Sequence, residues 1–123
     1  FLDGLSWEDY INHCGQASVL LDPIYFGAGN SFYESMFYGT PTVSKPTKYT
    51  KSRLVLGSYK QMQIEEPPIV DSVDEYVNKS IEIANHKNLY DLKNYYNEKA
   101  KKKLYENKDI IPNLEKIFKS VVG

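Results

Sequence analysis

The chain has 123 residues, of which 41% are hydrophobic and 25% are charged, and its formal net charge is −1. These values are ordinary for one globular domain that buries its own core, and they argue against a disordered chain. The near-zero charge gives no reason to expect nucleic acid or an anionic membrane as the main partner, because binding to either favours a clear basic excess.

The chain opens with a short apolar dipeptide and a helix. Phe1-Leu2 has the character of a strand end. Ser6 and Asp9 then form a capping-box pattern, and large residues follow at helical spacing on one face, at Trp7, Tyr10, Ile11 and Cys14. His13 in this helix has no acidic or cysteine partner nearby, so we interpret it as a structural residue and not as a general base.

Residues 18–43 are the most informative part of the sequence. An apolar run at 18–21 predicts a strand, Gly27 and Gly29 predict a tight loop, and 31–38 predicts a helix that Asn30 or Ser31 caps. Gly39 and Pro41 then separate this helix from a second predicted strand at 42–43. The segment therefore reads as two adjacent parallel strands joined by a crossover helix.

Such a turn is suited to anion binding. The first N–H groups of a helix have no partner within the helix, and the helix dipole is positive there, so a phosphate gains hydrogen bonds and charge stabilisation. Glu34 lies about one turn further on, roughly 5 Å along the axis, where a carboxylate reaches sugar hydroxyls attached to that phosphate. The alternative is a plain βαβ turn in which Glu34 merely favours the helix N-terminus, since a lone glycine-rich turn is a weak signal.

The same residues resemble a known family. The resemblance is carried by Leu21-Asp22-Pro23, Phe26-Gly27, Gly29-Asn30-Ser31, Glu34 and Gly39-Thr40-Pro41. These motifs are similar to the nucleotide-sugar loop of the SPINDLY-like, O-linked N-acetylglucosamine transferases, which have the two-domain GT-B fold. The likeness extends from about residue 5 to residue 87. Two positions depart from the family pattern: Glu34 stands where many members have Asp, and Gly29 stands where the animal enzymes have His.

The resemblance implies roles for individual residues. It places the diphosphate of a UDP-sugar at Gly29, Asn30 and Ser31, and the ribose hydroxyls at Glu34. Lys51-Ser52-Arg53 resembles the family's Ser-Arg step at the head of the next helix. Lys51 and Arg53 there either pair with a phosphate or are simply solvated, and for Arg53 the resemblance favours pairing with phosphate or support of the loop. No catalytic residue is assigned to this chain, since the family's proposed catalytic histidine has no counterpart that we can place here. No cofactor and no metal is expected.

The second half of the chain is predicted to be largely helical. A third helix is expected to bury Leu54, Val55, Tyr59 and Met62, and Ile69-Val70 forms at best a short final strand. Ser72 and Glu75 form a second capping box, and the helix behind it is expected to bury Val73, Tyr76, Val77, Ile81 and Ala84. Two further helices are expected from Asn88 to Leu104 and from Asp109 to Val122.

This order of elements predicts an α/β fold. We expect the second half of a doubly wound, Rossmann-like parallel sheet with flanking helices, in which the ligand lies at the carboxyl edge of the strands. Residues 1–87 would form half of a UDP-sugar-binding domain and residues 88–123 its C-terminal helices. The chain does not begin with Met, so we interpret it as a single partial domain of a longer protein.

Two functions from different classes follow from these predictions. In the first, the chain is the donor-binding part of an inverting glycosyltransferase that moves N-acetylglucosamine from UDP to a hydroxyl acceptor, with protein as an expected acceptor. In the second, it is a non-catalytic module that binds a phosphorylated ligand or a protein partner. A single cysteine allows no internal disulfide, and no apolar run is long enough to span a membrane, so we expect a cytoplasmic location. Apolar helix faces that the chain leaves uncovered suggest self-association.

Overall fold

The computed structural model describes residues 2–123. Over these residues it has six α-helices: α1 (Trp7–Gln16), α2 (Asn30–Met36), α3 (Leu54–Met62), α4 (Val73–Ala84), α5 (Leu89–Lys103) and α6 (Ile110–Val122). Two strands, β1 (Leu20–Leu21) and β2 (Thr42–Val43), and a 3-10 turn at Thr50–Ser52 complete the set. The prediction of a strand end at Phe1-Leu2 falls partly outside the described residues, and Leu2 has no regular structure.

The two strands form a parallel pair. Leu20 lies opposite Thr42 and Leu21 opposite Val43, and α2 lies between the strands in the sequence, as predicted. Beyond β2, Ser44 forms a parallel bridge with Ile69. The predicted final strand at Ile69-Val70 is therefore reduced to this one bridge. The protein is thus a mixed α/β structure, and within residues 2–123 its sheet has only two strands, so it is not by itself a doubly wound sheet.

The core lies where α2, α3 and α5 meet. Its members are fully or nearly buried, and they include Phe32, Met36, Val55, Tyr59, Met62, Tyr96, Ala100 and Leu104. Rings of Phe32 and Tyr59 meet edge to face with centroids 5.6 Å apart, an arrangement that aromatic pairs prefer. The prediction for α3 is correct except at Leu54, which stays 45% exposed because the helix begins there and its first side chain lies at the rim of the core.

Helix α4 begins as predicted but buries a different face. Ser72 accepts the N–H of Glu75 and the Glu75 carboxylate accepts the N–H of Ser72, which completes the capping box. The buried apolar residue of α4 is Ile83, whereas Val73, Val77, Ile81 and Ala84 are exposed, so the predicted buried face is wrong. Ile83 packs with Val43 and Val70, and Tyr76 packs partly against them. Contact with β2 therefore selects the neighbouring face of the helix.

The last helix, α6, is exposed along its whole length. None of its residues is buried. Its apolar residues recur at helical spacing and remain between 41% and 87% exposed, at Ile110, Ile111, Leu114, Ile117, Phe118, Val121 and Val122. Between residues 2 and 123, no helix combines the length and apolar character needed to cross a membrane.

Candidate functional site

The loop that follows β1 lies at the carboxyl edge of the parallel pair. The N–H of Asp22 donates to the carbonyl of Val43 at 3.0 Å, which holds the end of β1 beside the end of β2. From there the chain passes through residues 23–29 into α2, and the chain leaving β2 passes through residues 45–49 into the 3-10 turn. Both loops leave the same edge, because the strands are parallel, and this is where ligands bind in parallel α/β sheets.

Asp22 anchors the loop, although the sequence indicated it only as part of a motif and gave it no role. Its side chain is only 2% exposed. One carboxylate oxygen accepts the N–H of Ala28 at 2.6 Å, and the other accepts the hydroxyl of Ser44. Burial raises the pKa of this carboxyl above its usual value, although both hydrogen bonds favour the ionised form. The signal available in the sequence was an aspartate directly after a strand and before Pro23, a common position for a turn-forming side chain.

Gly27 connects this loop to the 3-10 turn through a backbone hydrogen bond. Its N–H donates to the carbonyl of Lys51 at 2.9 Å. A Cβ at this position would lie 3.1 Å from that carbonyl oxygen and 3.2 Å from an Asp22 carboxylate oxygen, which is tighter than ordinary van der Waals contact. The close approach of two backbone segments therefore favours glycine here, because a side chain would push them apart by a few tenths of an ångström.

The predicted diphosphate residues stand at the start of α2. Gly29 is the residue that precedes the helix, and none of the side chains in the described part of the chain caps it, so the prediction that Asn30 or Ser31 supplies the cap is wrong. The reason is that Asn30 and Ser31 are already helical, which places their side chains alongside the first turn. Within residues 2–123 the N–H groups of Gly29, Asn30 and Ser31 have no acceptor.

Glu34 is held by a tyrosine from the first helix. The hydroxyl of Tyr10 donates to Glu34 Oε2 at 2.8 Å. Burial, together with this hydrogen bond, raises the pKa of Tyr10. The sequence placed Tyr10 only on the apolar face of its helix. Its contact with Glu34 could not be predicted, because the two residues are 24 positions apart in the chain. Glu34 also lies beside an open, largely apolar cavity of about 280 Å³ that is lined by Ile11, Tyr33, Phe37 and Tyr105.

The two basic residues before α3 differ in their contacts. A guanidinium N–H of Arg53 donates to the carbonyl of Thr47 at 2.9 Å, and so it braces the loop that leaves β2. The Lys51 side chain is exposed, while its backbone carbonyl is the acceptor for Gly27. Ser52, which lies between them and is 2% exposed, accepts the N–H of Thr47 at 3.0 Å.

The two histidines make short local contacts. His13 Nδ1 lies 2.7 Å from the carbonyl of Asp9 in the same helix, and His86 Nδ1 accepts the N–H of Asn88 at 3.2 Å. In the described part of the chain, His, Cys, Asp and Glu side chains do not come together in a group that would hold a metal ion.

Comparison with known proteins identifies no relative of this chain. No protein-family model, curated protein or solved structure matches this chain. The choice of function therefore depends on the geometry of the loop after β1 and on the resemblance carried by residues 21–41.

Proposed function

We propose that this chain binds the UDP part of a nucleotide-sugar donor and belongs to an inverting glycosyltransferase that resembles the protein O-linked N-acetylglucosamine transferases. In this proposal its two parallel strands belong to a doubly wound sheet that further strands complete. The observation that carries the proposal is the set of N–H groups at Gly29, Asn30 and Ser31. They lie together at the carboxyl edge of the strands and have no acceptor in residues 2–123.

These N–H groups suit the oxygens of a diphosphate. Backbone donors at the start of a helix are fixed in direction and need no metal to attract an anion. Helix α2 has only seven residues, so the dipole contribution is modest and the donors themselves carry most of the stabilisation. The exposed side chain of Lys51 belongs to the 3-10 turn that follows the neighbouring loop, where a cation assists an anionic leaving group.

Glu34 is the proposed acceptor for ribose hydroxyls. The Tyr10 hydroxyl occupies Oε2, and Oε1 has no hydrogen-bond partner within residues 2–123. A carboxylate held from one side in this way is oriented before a ligand arrives, which lowers the entropy lost on binding. The acceptor hydroxyl and the groups that activate it are expected outside residues 1–123, so the chain alone is not expected to transfer sugar.

The test is a titration of the isotope-labelled chain with UDP, in which the NMR chemical shifts of the backbone amides are monitored. We expect saturable shifts at residues 29–31 with UDP and much smaller ones with uridine, which lacks the diphosphate. Glu34→Ala should weaken UDP binding about tenfold or more, since a hydrogen bond to a charged group contributes about 1.5 to 3 kcal/mol, and Glu34→Asp should weaken it less.

The matched control is Glu8→Ala, which removes an exposed carboxylate from α1 and should leave the affinity unchanged. Equal UDP affinity in Glu34→Ala and the unaltered chain would remove Glu34 from the site. Absence of any UDP-dependent shift at residues 29–31 would refute the proposal as a whole. Sugar transfer by the chain alone, measured with radiolabelled UDP-N-acetylglucosamine and acceptor peptides, would show that a catalytic group lies within it.

A further inference from the structure

The buried carboxylate of Asp22 has no part in the ligand contacts proposed above, yet both of its oxygens are hydrogen-bonded. It accepts hydrogen bonds from Ala28 and from Ser44. Its backbone is tied as well, because its N–H donates to Val43 and its carbonyl accepts the hydroxyl of Tyr76 at 3.0 Å. One residue thus connects the end of β1 with the end of β2 and with α4.

These contacts close the loop at both ends. Asp22 stands where β1 ends, and Ala28, which it holds, directly precedes the residues with free N–H groups. Gly27 is fixed at the same time by its bond to the carbonyl of Lys51. The bond that Asp22 makes to Ala28 therefore holds the chain one residue before the N–H groups of residues 29–31.

We infer that Asp22 is a positioning residue: its carboxylate holds the loop so that the N–H groups of residues 29–31 are presented to the diphosphate. This inference rests on the proposed function. Without the anchor the loop would have to be ordered when the donor binds, and the conformational entropy lost in that step would weaken binding.

Electrostatic attraction of the nucleotide-sugar is not the reason for a carboxylate at position 22. A negative charge beside an anion site repels the diphosphate, so the value of Asp22 lies in its geometry as a hydrogen-bond acceptor. An asparagine at this position keeps a carbonyl oxygen for the N–H of Ala28, and its amide N–H₂ can donate to the Ser44 hydroxyl, which is able to accept. Asp22→Asn is therefore the conservative replacement that preserves the position of the loop. Asp22→Ala removes the hydrogen-bond acceptor that holds the loop.

The experiment compares these two variants in the UDP titration described above. We expect Asp22→Ala to raise the dissociation constant about tenfold or more, whereas Asp22→Asn stays within about threefold of the unaltered chain. The control is Leu104→Ala, a core substitution at the end of α5 that lowers the thermal midpoint and removes none of the hydrogen bonds that hold the loop. It should leave the UDP affinity within about threefold, which separates loop positioning from a general loss of stability.

A second measurement needs no ligand. Amide hydrogen exchange at Gly27 and Ala28 should accelerate at least about tenfold in Asp22→Ala, but not in Asp22→Asn or Leu104→Ala. If the unaltered chain binds UDP and Asp22→Ala binds it equally well, the role of Asp22 is refuted and the proposed function stands. If the unaltered chain shows no UDP shift, the proposed function fails and the inferred role in donor binding fails with it. Unchanged exchange at Gly27 and Ala28 in Asp22→Ala would refute the anchoring itself, whatever UDP does.

Discussion

The hydroxyl of Tyr59 takes the place of a neighbouring strand beside Thr42. It accepts the N–H of Thr42 at 2.7 Å and donates to the carbonyl of the same residue at 3.0 Å. Alternate residues of a strand direct their N–H and C=O groups to the same edge, so Thr42 pairs on the edge where Ser44 pairs with Ile69. A side chain from α3 thereby satisfies the backbone of β2 at a point where, among residues 2–123, the sheet has no third strand.

Removal of this hydroxyl should therefore be costly. Tyr59→Phe leaves the buried N–H and C=O of Thr42 without partners, and we expect a loss of about 2 to 4 kcal/mol in the free energy of unfolding. Chemical denaturation measures this value. Tyr90→Phe, at a tyrosine that is 77% exposed, is the matched control and should change stability by less than about 0.5 kcal/mol. Equal stability of the two variants would mean that water or a backbone shift satisfies Thr42.

Two glycines should respond in opposite directions to alanine. Gly39 has a φ of +73°, and a Cβ there would overlap the backbone carbonyl of Lys93, so Gly39→Ala should prevent folding or lower stability by more than about 3 kcal/mol. Gly57 lies within α3 with open space around its Cβ position, and Gly57→Ala should raise stability by about 0.5 to 1 kcal/mol. Thermal unfolding of both variants tests the pair, and a stable Gly39→Ala protein would contradict the close packing of α5 against residue 39.

The buried Asp22 should make stability depend on pH. Burial places its pKa in the folded protein above the unfolded value of about 3.9, and its contacting partners, Ser44 and the N–H of Ala28, carry no charge. The folded state then binds the proton more tightly than the unfolded state. The contribution of Asp22 to stability is full below about pH 3.9 and falls as the pH rises through the folded pKa.

The comparison with Asp22→Asn isolates this effect, because asparagine does not titrate. The free energy of unfolding of the unaltered chain minus that of the variant should decrease from pH 3.5 through pH 5 to pH 7. A difference that rises over this range would show that the hydrogen bonds to the carboxylate outweigh its burial and that the folded pKa lies below the unfolded one.

The exposed apolar face of α6 should promote self-association. Large apolar side chains that remain uncovered in water associate with one another, and we expect a dimer or larger species at micromolar concentration in sedimentation velocity. Ile117→Glu, in the middle of the apolar face, should shift the chain toward monomer. Ser120→Glu introduces the same charge away from that face and should not, and equal behaviour of the two variants would indicate a charge effect.

The strand, loop, helix and strand of residues 18–43 could be predicted because their signals are local. Glycines, prolines and short apolar runs restrict the backbone wherever they occur, so the two strands and the helix between them followed from residue types. Their parallel pairing followed from the rule that a helix crossover joins neighbouring parallel strands. The same holds for the caps at Ser6 and Ser72, whose partners lie three residues away. The loop of the candidate site was located in this way, together with Glu34.

Only the tertiary structure decided which groups complete that loop. The hydroxyl of Tyr10 reaches Glu34 from 24 residues away, that of Ser44 reaches Asp22 from 22, and that of Tyr76 reaches the Asp22 carbonyl from 54. The buried face of α4 was likewise chosen by contact with β2, because two adjoining faces of that helix are apolar and periodicity does not rank them. Hydrogen bonds and packing between distant segments depend on where the chain returns in space, and no local pattern specifies that position.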